Sequence, residues 1–124
     1  MAFDLINHKI VVIKLMKLGA PPILVQWVVD FLTNRKQRVK YKDTYSDWVL
    51  INGGVPQGTV IGSRSFLGMI NDALDVPNHK VWKYVDDLTI GENRAYGDAS
   101  TVQDSLDSLC TWADENKLRL NPAK

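Results

Sequence analysis

The amino-acid sequence predicts an α+β fold in which a small antiparallel sheet packs against helices. Apolar residues recur at helical spacing near both ends of the chain, whereas the middle alternates between apolar and polar residues as strands do. The chain has 124 residues, of which 45% are hydrophobic and 23% are charged, with a net charge of +1. This composition is typical of one globular domain, so we predict a single unit over residues 1–124.

The first third of the chain predicts two helices. Residues 8–19, HKIVVIKLMKLG, end on a glycine, which is typical of a helix C-terminus, and their apolar stripe consists of Val11, Leu15 and Leu18. Two prolines then suit the first turn of a second helix. Its apolar residues at helical spacing are Leu24, Trp27, Val28, Phe31 and Leu32. The four tryptophans are expected to pack in the core.

The next segment predicts a basic hairpin. QRVKYK (residues 37–42) alternates as a strand with a basic face, DWVLING (residues 47–53) is a second strand, and DTYS lies between them as the turn. With Tyr41 interleaved, its cations would suit a nucleic-acid backbone: they are Arg35, Lys36, Arg38, Lys40 and Lys42. The alternative is a solvated edge whose charges protect against strand pairing.

A loop rich in Gly and Pro follows in residues 53–63, GGVPQGTVIGS, and a helix is expected over residues 64–74, RSFLGMINDAL. The glycines permit positive φ and close backbone approach, and Gln57 offers both a donor and an acceptor. Such a loop can hold a nucleotide or a template base. A tight connection between a strand and a helix is the structural alternative.

Two adjacent acids interrupt a β-favouring run, KYVDDLTIGE, in residues 83–92. The runs KVWKYV and LTIGE on either side predict a hairpin with Asp86 and Asp87 at its tip. Paired carboxylates are ligands that Mg²⁺ prefers, and two such ions serve the in-line displacement of nucleotidyl transfer. Asp is also common in turns, so a turn without a metal is the alternative.

The end of the chain predicts one more helix and a strand. STVQ (residues 100–103) resembles a capping box, and the stripe behind it is Val102, Leu106, Leu109, Cys110 and Ala113. Cys110 is therefore expected to be a buried, inert thiol. KLRL (residues 117–120) predicts the beginning of a strand. Near the other end, Asp4 and His8 are four residues apart and are expected to form a structural pair.

Several classes of protein are excluded by composition. One cysteine rules out an internal disulfide, and no Cys/His cluster has zinc spacing. The first residues lack the layout of a signal peptide, and no apolar run approaches the ~18 residues that span a bilayer. The sequence therefore predicts a soluble intracellular protein with no membrane association, and it does not distinguish nucleus from cytoplasm.

Six strings occur in an order that resembles the palm of a reverse transcriptase, of the type found in non-LTR (LINE-like) retrotransposons. They are AFDLINH, FLTNRKQRV, GVPQGTVIG, MIND, YVDD and LRLNPAK. Any one of them can arise by chance, but six in register over nearly the whole chain are specific. The resemblance implies a polymerase palm-like domain, truncated at both ends, without its fingers and thumb. The parent protein is expected to be an RNA-directed DNA polymerase.

The resemblance also implies a metal site. Asp86 and Asp87 match the paired aspartates that hold the catalytic Mg²⁺ ions, in a signature that Tyr84 and Val85 complete. The implied partners of the parent enzyme are an RNA template, a DNA primer and a deoxynucleoside triphosphate. The implied nucleotide-binding residues are Phe3, Pro56, Gln57, Gly58 and Lys124. Among these, the phenylalanine corresponds to the aromatic residue that packs under the sugar and excludes a 2′-hydroxyl. The implied nucleic-acid-binding residues are Arg35, Lys36 and Arg38.

The chain departs from the family pattern in two ways. A further metal-binding aspartate precedes the AFD string in the family, whereas this chain begins at Met1, and Asp4 is not a substitute for it by register. We therefore expect an incomplete two-metal site and an inactive isolated fragment. GSRSF (residues 62–66) is more polar than the usual form, which predicts looser packing where that helix starts.

Two further expectations concern the isolated chain. Surface that normally packs against neighbouring domains is expected to drive association into dimers or higher oligomers. The alternative to a polymerase fragment is a domesticated or decayed retroelement fragment that acts as a non-catalytic nucleic-acid-binding or protein-interaction module.

Overall fold

The computed structural model describes residues 2–76 and 79–121 and confirms an α+β fold of helices and small antiparallel sheets. A short 3₁₀ helix, Ala2–Leu5, comes first. The helices are α1 (His8–Lys17), α2 (Pro22–Leu32), α3 (Val60–Ile70) and α4 (Val102–Glu115). The strands are β1 (Lys36–Gln37), β2 (Lys40–Tyr41), β3 (Thr44–Tyr45), β4 (Val49–Leu50), β5 (Lys80–Tyr84) and β6 (Asp87–Gly91).

The strands pair in three two-stranded sheets, β1 with β4, β2 with β3 and β5 with β6, all antiparallel. The first two pairs follow one another along the same hairpin: Lys36 lies opposite Leu50 in the first pair, and Lys40 lies opposite Tyr45 in the second. Its turn is at residues 42–43 instead of DTYS, because Thr44 already belongs to β3. The β5–β6 pair, which carries Asp86 and Asp87 and is here called the acid hairpin, forms a sheet of its own in the described part of the chain and is not one part of a larger sheet.

Two apolar clusters hold the helices and the acid hairpin together. The larger one joins the 3₁₀ helix region, α1, α2 and α3 through the buried residues Ile6, Val11, Leu32, Val55, Phe66, Met69 and Ile70. The second one joins the turn after α3 to α4 through Ala73, Leu74 and Leu109. Half-buried side chains of β5 and β6, including Leu88 and Ile90, pack against it. The β5–β6 hairpin is therefore backed by α4 and by the turn that follows α3.

Helix α3 begins at Val60, four residues earlier than the sequence suggested. Thr59 caps it: its Oγ1 accepts a hydrogen bond from the Gly62 amide at 3.1 Å and donates one to the Pro56 carbonyl at 2.9 Å. The expectation of loose packing at this end is wrong. Gly62 and Ser65 are both buried against the rest of the protein, because small side chains allow the loop to lie directly on the helix.

Helix α4 corrects three expectations. Ser100 and Gln103 form no capping box; the N-cap is Thr101, and Ser100 Oγ donates instead to the Glu92 carboxylate at 2.7 Å. The buried face is Ser105, Leu109 and Ala113, which leaves Cys110 exposed. Helix α4 turns this face inward because Ser105 hydrogen-bonds His79 at 3.0 Å. In the described residues, 117–120 form no strand.

The tryptophans and α1 also depart from the simple pattern. Trp27, Trp48 and Trp82 are each more than half exposed, so the expectation of core packing is wrong for these three. On α1 the stripe residue Leu18 is exposed, whereas Lys14 is buried. Burial of this cation is compensated: Lys14 Nζ donates to the Met69 carbonyl at 2.8 Å and pairs with the Asp72 carboxylate.

No helix in the part of the chain that the structure describes has the length and apolarity needed to cross a bilayer.

Candidate active site

The β5–β6 hairpin places the two adjacent acids at its turn, as predicted. Tyr84 pairs with Asp87, so Val85 and Asp86 form the two-residue loop and Asp87 begins β6. Both acidic residues are exposed at the tip. The strands are therefore a rigid support, and the carboxylates are presented to solvent at its end.

Val85 occupies an unfavourable backbone conformation that anchors this turn. Its φ is +52°, where a β-branched residue is a rare outlier and where two-residue hairpin loops favour Gly. Such a conformation costs roughly 1–3 kcal/mol and persists only where the surroundings impose it. Here the half-buried Val85 side chain packs against the larger apolar cluster. One loop residue thus points into the core while the neighbouring acid faces outward.

A cavity of about 80 Å³ lies beneath the acid turn. Its lining is mostly apolar and includes Leu5, Phe66 and Val85, with Asp86 and Arg119 as charged residues. The cavity connects the hairpin with the 3₁₀ helix and with α3. Asp86 is therefore at the boundary between a small apolar recess and solvent.

Phe3 is connected to the same region through a stacked aromatic pair. Its ring lies parallel to that of Phe66, with 4.3 Å between centroids and 16° between planes, and Phe66 also lines the cavity next to Asp86. The Phe3 carbonyl accepts a hydrogen bond from the Val55 amide at 2.9 Å. Phe3 therefore lies between the acid hairpin and the Gly/Pro loop, although it is far from both in sequence.

Gly54 is the point at which three segments meet. It has φ +74°, and a Cβ at this position would lie 3.0 Å from the Asp4 backbone, so a side chain is excluded. Its carbonyl bonds His8 Nε2 at 2.7 Å and accepts from the Arg35 guanidinium at 3.3 Å. The expected Asp4–His8 pair is therefore wrong, because the 3₁₀ helix ends at Leu5 before α1 begins.

The rest of the loop presses on the start of α3. The Pro56 carbonyl faces Gly62, where a Cβ would come within 2.1 Å of it. Beyond this contact, Gln57 and Gly58 are exposed, and Gly58 has φ +76°. The loop is thus held at Gly54 and Pro56 and presents Gln57 to solvent between them and the helix.

The three predicted nucleic-acid-binding residues have different environments. Arg35 is half-buried and donates to Gly54, whereas Lys36 and Arg38 are exposed on the basic hairpin. The Arg38 guanidinium lies 3.9 Å from the Tyr45 ring centroid and 4.6 Å from that of Trp48. Neither ring is a sequence neighbour of this arginine, so no local pattern indicates the contact. Lys124 lies outside the described residues.

A second polar cluster was missed because no local pattern signals it. His79 bonds Thr101 Oγ1 and Ser105 Oγ, each at 3.0 Å. Hydrogen bonds from the Thr101 amide and the Ser100 hydroxyl lower the pKa of Glu92 to about 2. These contacts join residues 8 to 26 positions apart, so they hold both ends of the β5–β6 hairpin onto the start of α4.

The acid turn offers donors of the type that a hard divalent cation binds. Within residues 2–76 and 79–121, no three His, Cys, Asp or Glu side chains are grouped so as to hold a metal ion. Mg²⁺, however, is commonly bound through one or two carboxylates together with substrate phosphates and water. Asp86 and Asp87 fit that description in donor chemistry.

Comparisons with known proteins identify the family of the chain. The chain matches the family described as reverse transcriptase (RNA-dependent DNA polymerase) over residues 1–124, and it belongs to that family. A probable RNA-directed DNA polymerase from transposon BS of Drosophila melanogaster is 28% identical over 134 aligned residues. This match covers 99% of the present chain and 15% of the relative, so the chain spans only a small part of that protein. No solved structure matches significantly.

Proposed function

We propose that this chain is part of the palm of a longer RNA-directed DNA polymerase of a non-LTR retrotransposon. The observation that carries the proposal is the exposed Asp86–Asp87 turn, held by Val85, in a chain that belongs to the reverse transcriptase family throughout. The fingers and the thumb would come from other parts of the parent protein. Its partners would be an RNA template, a DNA primer and a deoxynucleoside triphosphate.

In this proposal, Asp86 and Asp87 hold divalent ions, and Mg²⁺ is the cation that suits their oxygens. The bound ions supply charge neutralisation at the phosphates during an in-line displacement. The primer 3′-oxygen attacks the α-phosphate of the nucleotide, and pyrophosphate leaves. Because phosphoryl transfer depends mainly on positioning and electrostatics, no side chain of this protein has to act as a nucleophile.

The nucleotide would lie between the acid turn and the Gly/Pro loop. Exposed Gln57 supplies a donor and an acceptor beside Gly58, and Pro56 fixes the loop against α3. Phe3 would contact the sugar and select against a 2′-hydroxyl, supported from behind by Phe66 at 4.3 Å. We assign Lys124 to the nucleotide phosphates from the family resemblance alone.

The isolated chain is proposed to be inactive and to self-associate. Two-ion chemistry uses carboxylates that converge from more than one strand, and the acid turn provides one such group. Large apolar side chains are exposed on α1 and α2, among them Ile13, Met16, Ile23 and Trp27, and such surface promotes association. Light scattering over a concentration series tests the second point. A constant monomer mass would contradict it.

Primer extension on an RNA template in Mg²⁺ tests the metal role, with this chain and with a longer form of the parent protein. In the longer form, Asp86→Asn with Asp87→Asn should abolish extension. The matched control is Asp104→Asn with Asp107→Asn, since it removes two exposed carboxylates of α4 and should leave extension intact. Extension that survives loss of the turn acids would refute the metal role.

Sugar selection is tested by the ratio of deoxynucleotide to ribonucleotide incorporation, which does not depend on the fraction of folded protein. Phe3→Val should lower this ratio, because the ring that excludes the 2′-hydroxyl is lost. Phe31→Val is the control, since Phe31 is also half-buried but lies on α2. An unchanged ratio in the first variant, or an equal change in both, would remove Phe3 from this role.

A further inference from the structure

The basic hairpin of residues 35–50, here called the ribbon, concentrates positive charge on the surface of the protein. It contains five of the 15 basic residues of the chain but only two of the 14 acidic ones. All of its residues except Arg35 are exposed. The ribbon is therefore a locally cationic projection on a protein that is nearly neutral overall.

The ribbon is ordered by its own hydrogen bonds. Besides the β1–β4 and β2–β3 pairs, the Ile51 amide donates to the Arg35 carbonyl at 2.8 Å, and the Ser46 amide donates to the Val39 carbonyl at 2.9 Å. At its base, Arg35 bonds Gly54. Because its backbone is already fixed, a ligand that binds there pays little ordering entropy.

Cations and aromatic rings are interleaved on one face of the ribbon. Arg38 and Lys40 lie together because both contact the ring of Tyr45, and Lys36 is exposed on the neighbouring strand β1. Arg38 lies between the rings of Tyr45 and Trp48, at 3.9 and 4.6 Å, and Lys40 Nζ is 5.4 Å from the Tyr45 centroid. Within the described residues, none of these cations forms a salt bridge with an acidic side chain. Their charge is thus offset by ring faces and is available to an anion.

The aromatic rings argue for a single strand over a duplex. Trp48 is 59% exposed although Arg38 covers one of its faces, so a ring face remains open. Tyr41, on the other side of the ribbon, is 71% exposed. A flat open ring stacks on an unpaired base, whereas the bases of a duplex are already stacked on each other.

We propose that the ribbon binds single-stranded RNA, with Trp48 as the stacking platform for a base and with Lys36 and Lys40 on the phosphates. Arg38 orients the indole and adds charge, and Arg35 fixes the ribbon to the loop without contacting the strand. Binding of a single strand follows from the cations and open rings of the ribbon alone. The identification of that strand as RNA, and as the template, rests on the proposed polymerase function.

The test is fluorescence anisotropy of this full chain with labelled oligo(U) of about 12 nucleotides, a length that suits such surfaces. Trp48→Ala should weaken binding on the order of tenfold, the loss expected for one base stack. Trp27→Ala is the matched control, because Trp27 on α2 is 58% exposed, and it should change binding little. Circular dichroism confirms that each variant is folded.

Salt dependence tests the lysines separately. Log affinity falls as log salt rises, and each phosphate contact on a single strand contributes roughly 0.7 to the steepness of this fall. Lys36→Ala with Lys40→Ala should therefore make the slope shallower by about 1.4. The control, Lys9→Ala with Lys17→Ala, removes the same charge from exposed positions on α1 and should preserve the slope. Equal effects in both pairs, or none in either, would overturn the proposal.

Two further ligands identify the bound strand. Oligo(dT) of the same length should bind more weakly than oligo(U), and an RNA duplex should show no loss with Trp48→Ala. Tighter binding of the duplex would reject the single-strand assignment. Failure of the polymerase function can be distinguished from failure of the ribbon proposal. If the chain binds oligo(U) as described but its longer form extends no primer, the ribbon site stands and the polymerase function fails. If the longer form extends primers equally well with and without the ribbon substitutions, the ribbon does not bind the template.

Discussion

Replacing Gly62 by Ala tests whether the Gly/Pro loop is held directly on α3. A Cβ at residue 62 would be 2.1 Å from the Pro56 carbonyl oxygen, whereas ordinary contacts begin at 3.4 Å, so the carbonyl must move by about 1.3 Å. Overpacking of this kind costs roughly 1–3 kcal/mol. The movement also breaks the 2.9 Å bond from Thr59 Oγ1, which contributes roughly 0.5–1.5 kcal/mol.

The same substitution in the same helix provides the control. Both Gly62→Ala and Gly68→Ala gain roughly 1 kcal/mol of helix propensity. At Gly68, however, the new methyl would lie 3.1 Å from the tip of Leu15 and at an ordinary 3.8 Å from Leu18, and a small shift of the flexible Leu15 side chain relieves the closer contact. We therefore expect Gly62→Ala to be destabilised by about 2 kcal/mol and Gly68→Ala to be neutral or slightly stabilised.

Urea unfolding followed by far-ultraviolet circular dichroism measures both variants. A lower midpoint at constant m in Gly62→Ala is a loss of stability and not a change in the denatured state. Equal midpoints for the two variants would refute the close contact between the loop and α3. In a polymerase, the displaced loop should also raise the KM for the nucleotide, because Gln57 moves with it.

Three further predictions concern strain and pH. Val85→Gly should change the free energy of unfolding by less than ~1 kcal/mol, because relief of the strained positive φ offsets the lost packing. Val81→Gly in the same hairpin should cost at least ~2 kcal/mol, because packing is lost there and no backbone strain is relieved. Burial raises the pKa of Asp72, but hydrogen bonds from Lys14 and Trp112 outweigh this effect, so the net pKa is lowered. Wild type should therefore be more stable than Asp72→Asn at neutral pH, and this difference should disappear as the pH falls below about 3.8. The pKa of Glu92 is lowered from 4.5 to about 2. The stability that wild type has over Glu92→Gln should therefore decrease as the pH falls from 4.5 to about 2.

The controls for the pH predictions are two other exposed carboxylates, which Asp75→Asn and Glu115→Gln remove. The loss of stability at low pH, measured relative to Asp72→Asn and Glu92→Gln, should exceed the loss measured relative to these controls. Urea midpoints from pH 2 to pH 7 provide the comparison. A constant difference between wild type and Asp72→Asn over this range would show that the carboxylate makes no net contribution through its charge.

Local patterns predicted the elements well where each element is defined by its neighbours in sequence. Helical spacing and the Gly and Pro signals indicated α1 and α2, and alternation around Asp86 and Asp87 indicated the acid hairpin. The beginning of α3 was missed because its cap is Thr59, whose hydroxyl acts together with the Pro56 carbonyl. Such a cap depends on loop geometry, which a hydrophobic pattern does not contain.

Burial was harder to predict than secondary structure. Cys110 lies on an apolar stripe, but the hydrogen bond between Ser105 and His79 turns a different face of α4 inward. Lys14 is buried because its partners come from Met69 on α3 and from Asp72 in the turn that follows α3. For the candidate site, the sequence indicated the acid turn and the loop, whereas the meeting of His8 and Arg35 at Gly54 is a long-range contact with no local signature.

The uneven exposure of the indoles makes this protein's intrinsic emission a local probe. Trp27, Trp48 and Trp82 already face water in the native state, so unfolding changes their surroundings little. The half-buried indole of Trp112 lies 4.6 Å from Lys14 Nζ and donates to Asp72 at 3.0 Å. A shift in the emission spectrum would thus report the separation of α4 from α1 and α3, and quenching by a bound base would report Trp48.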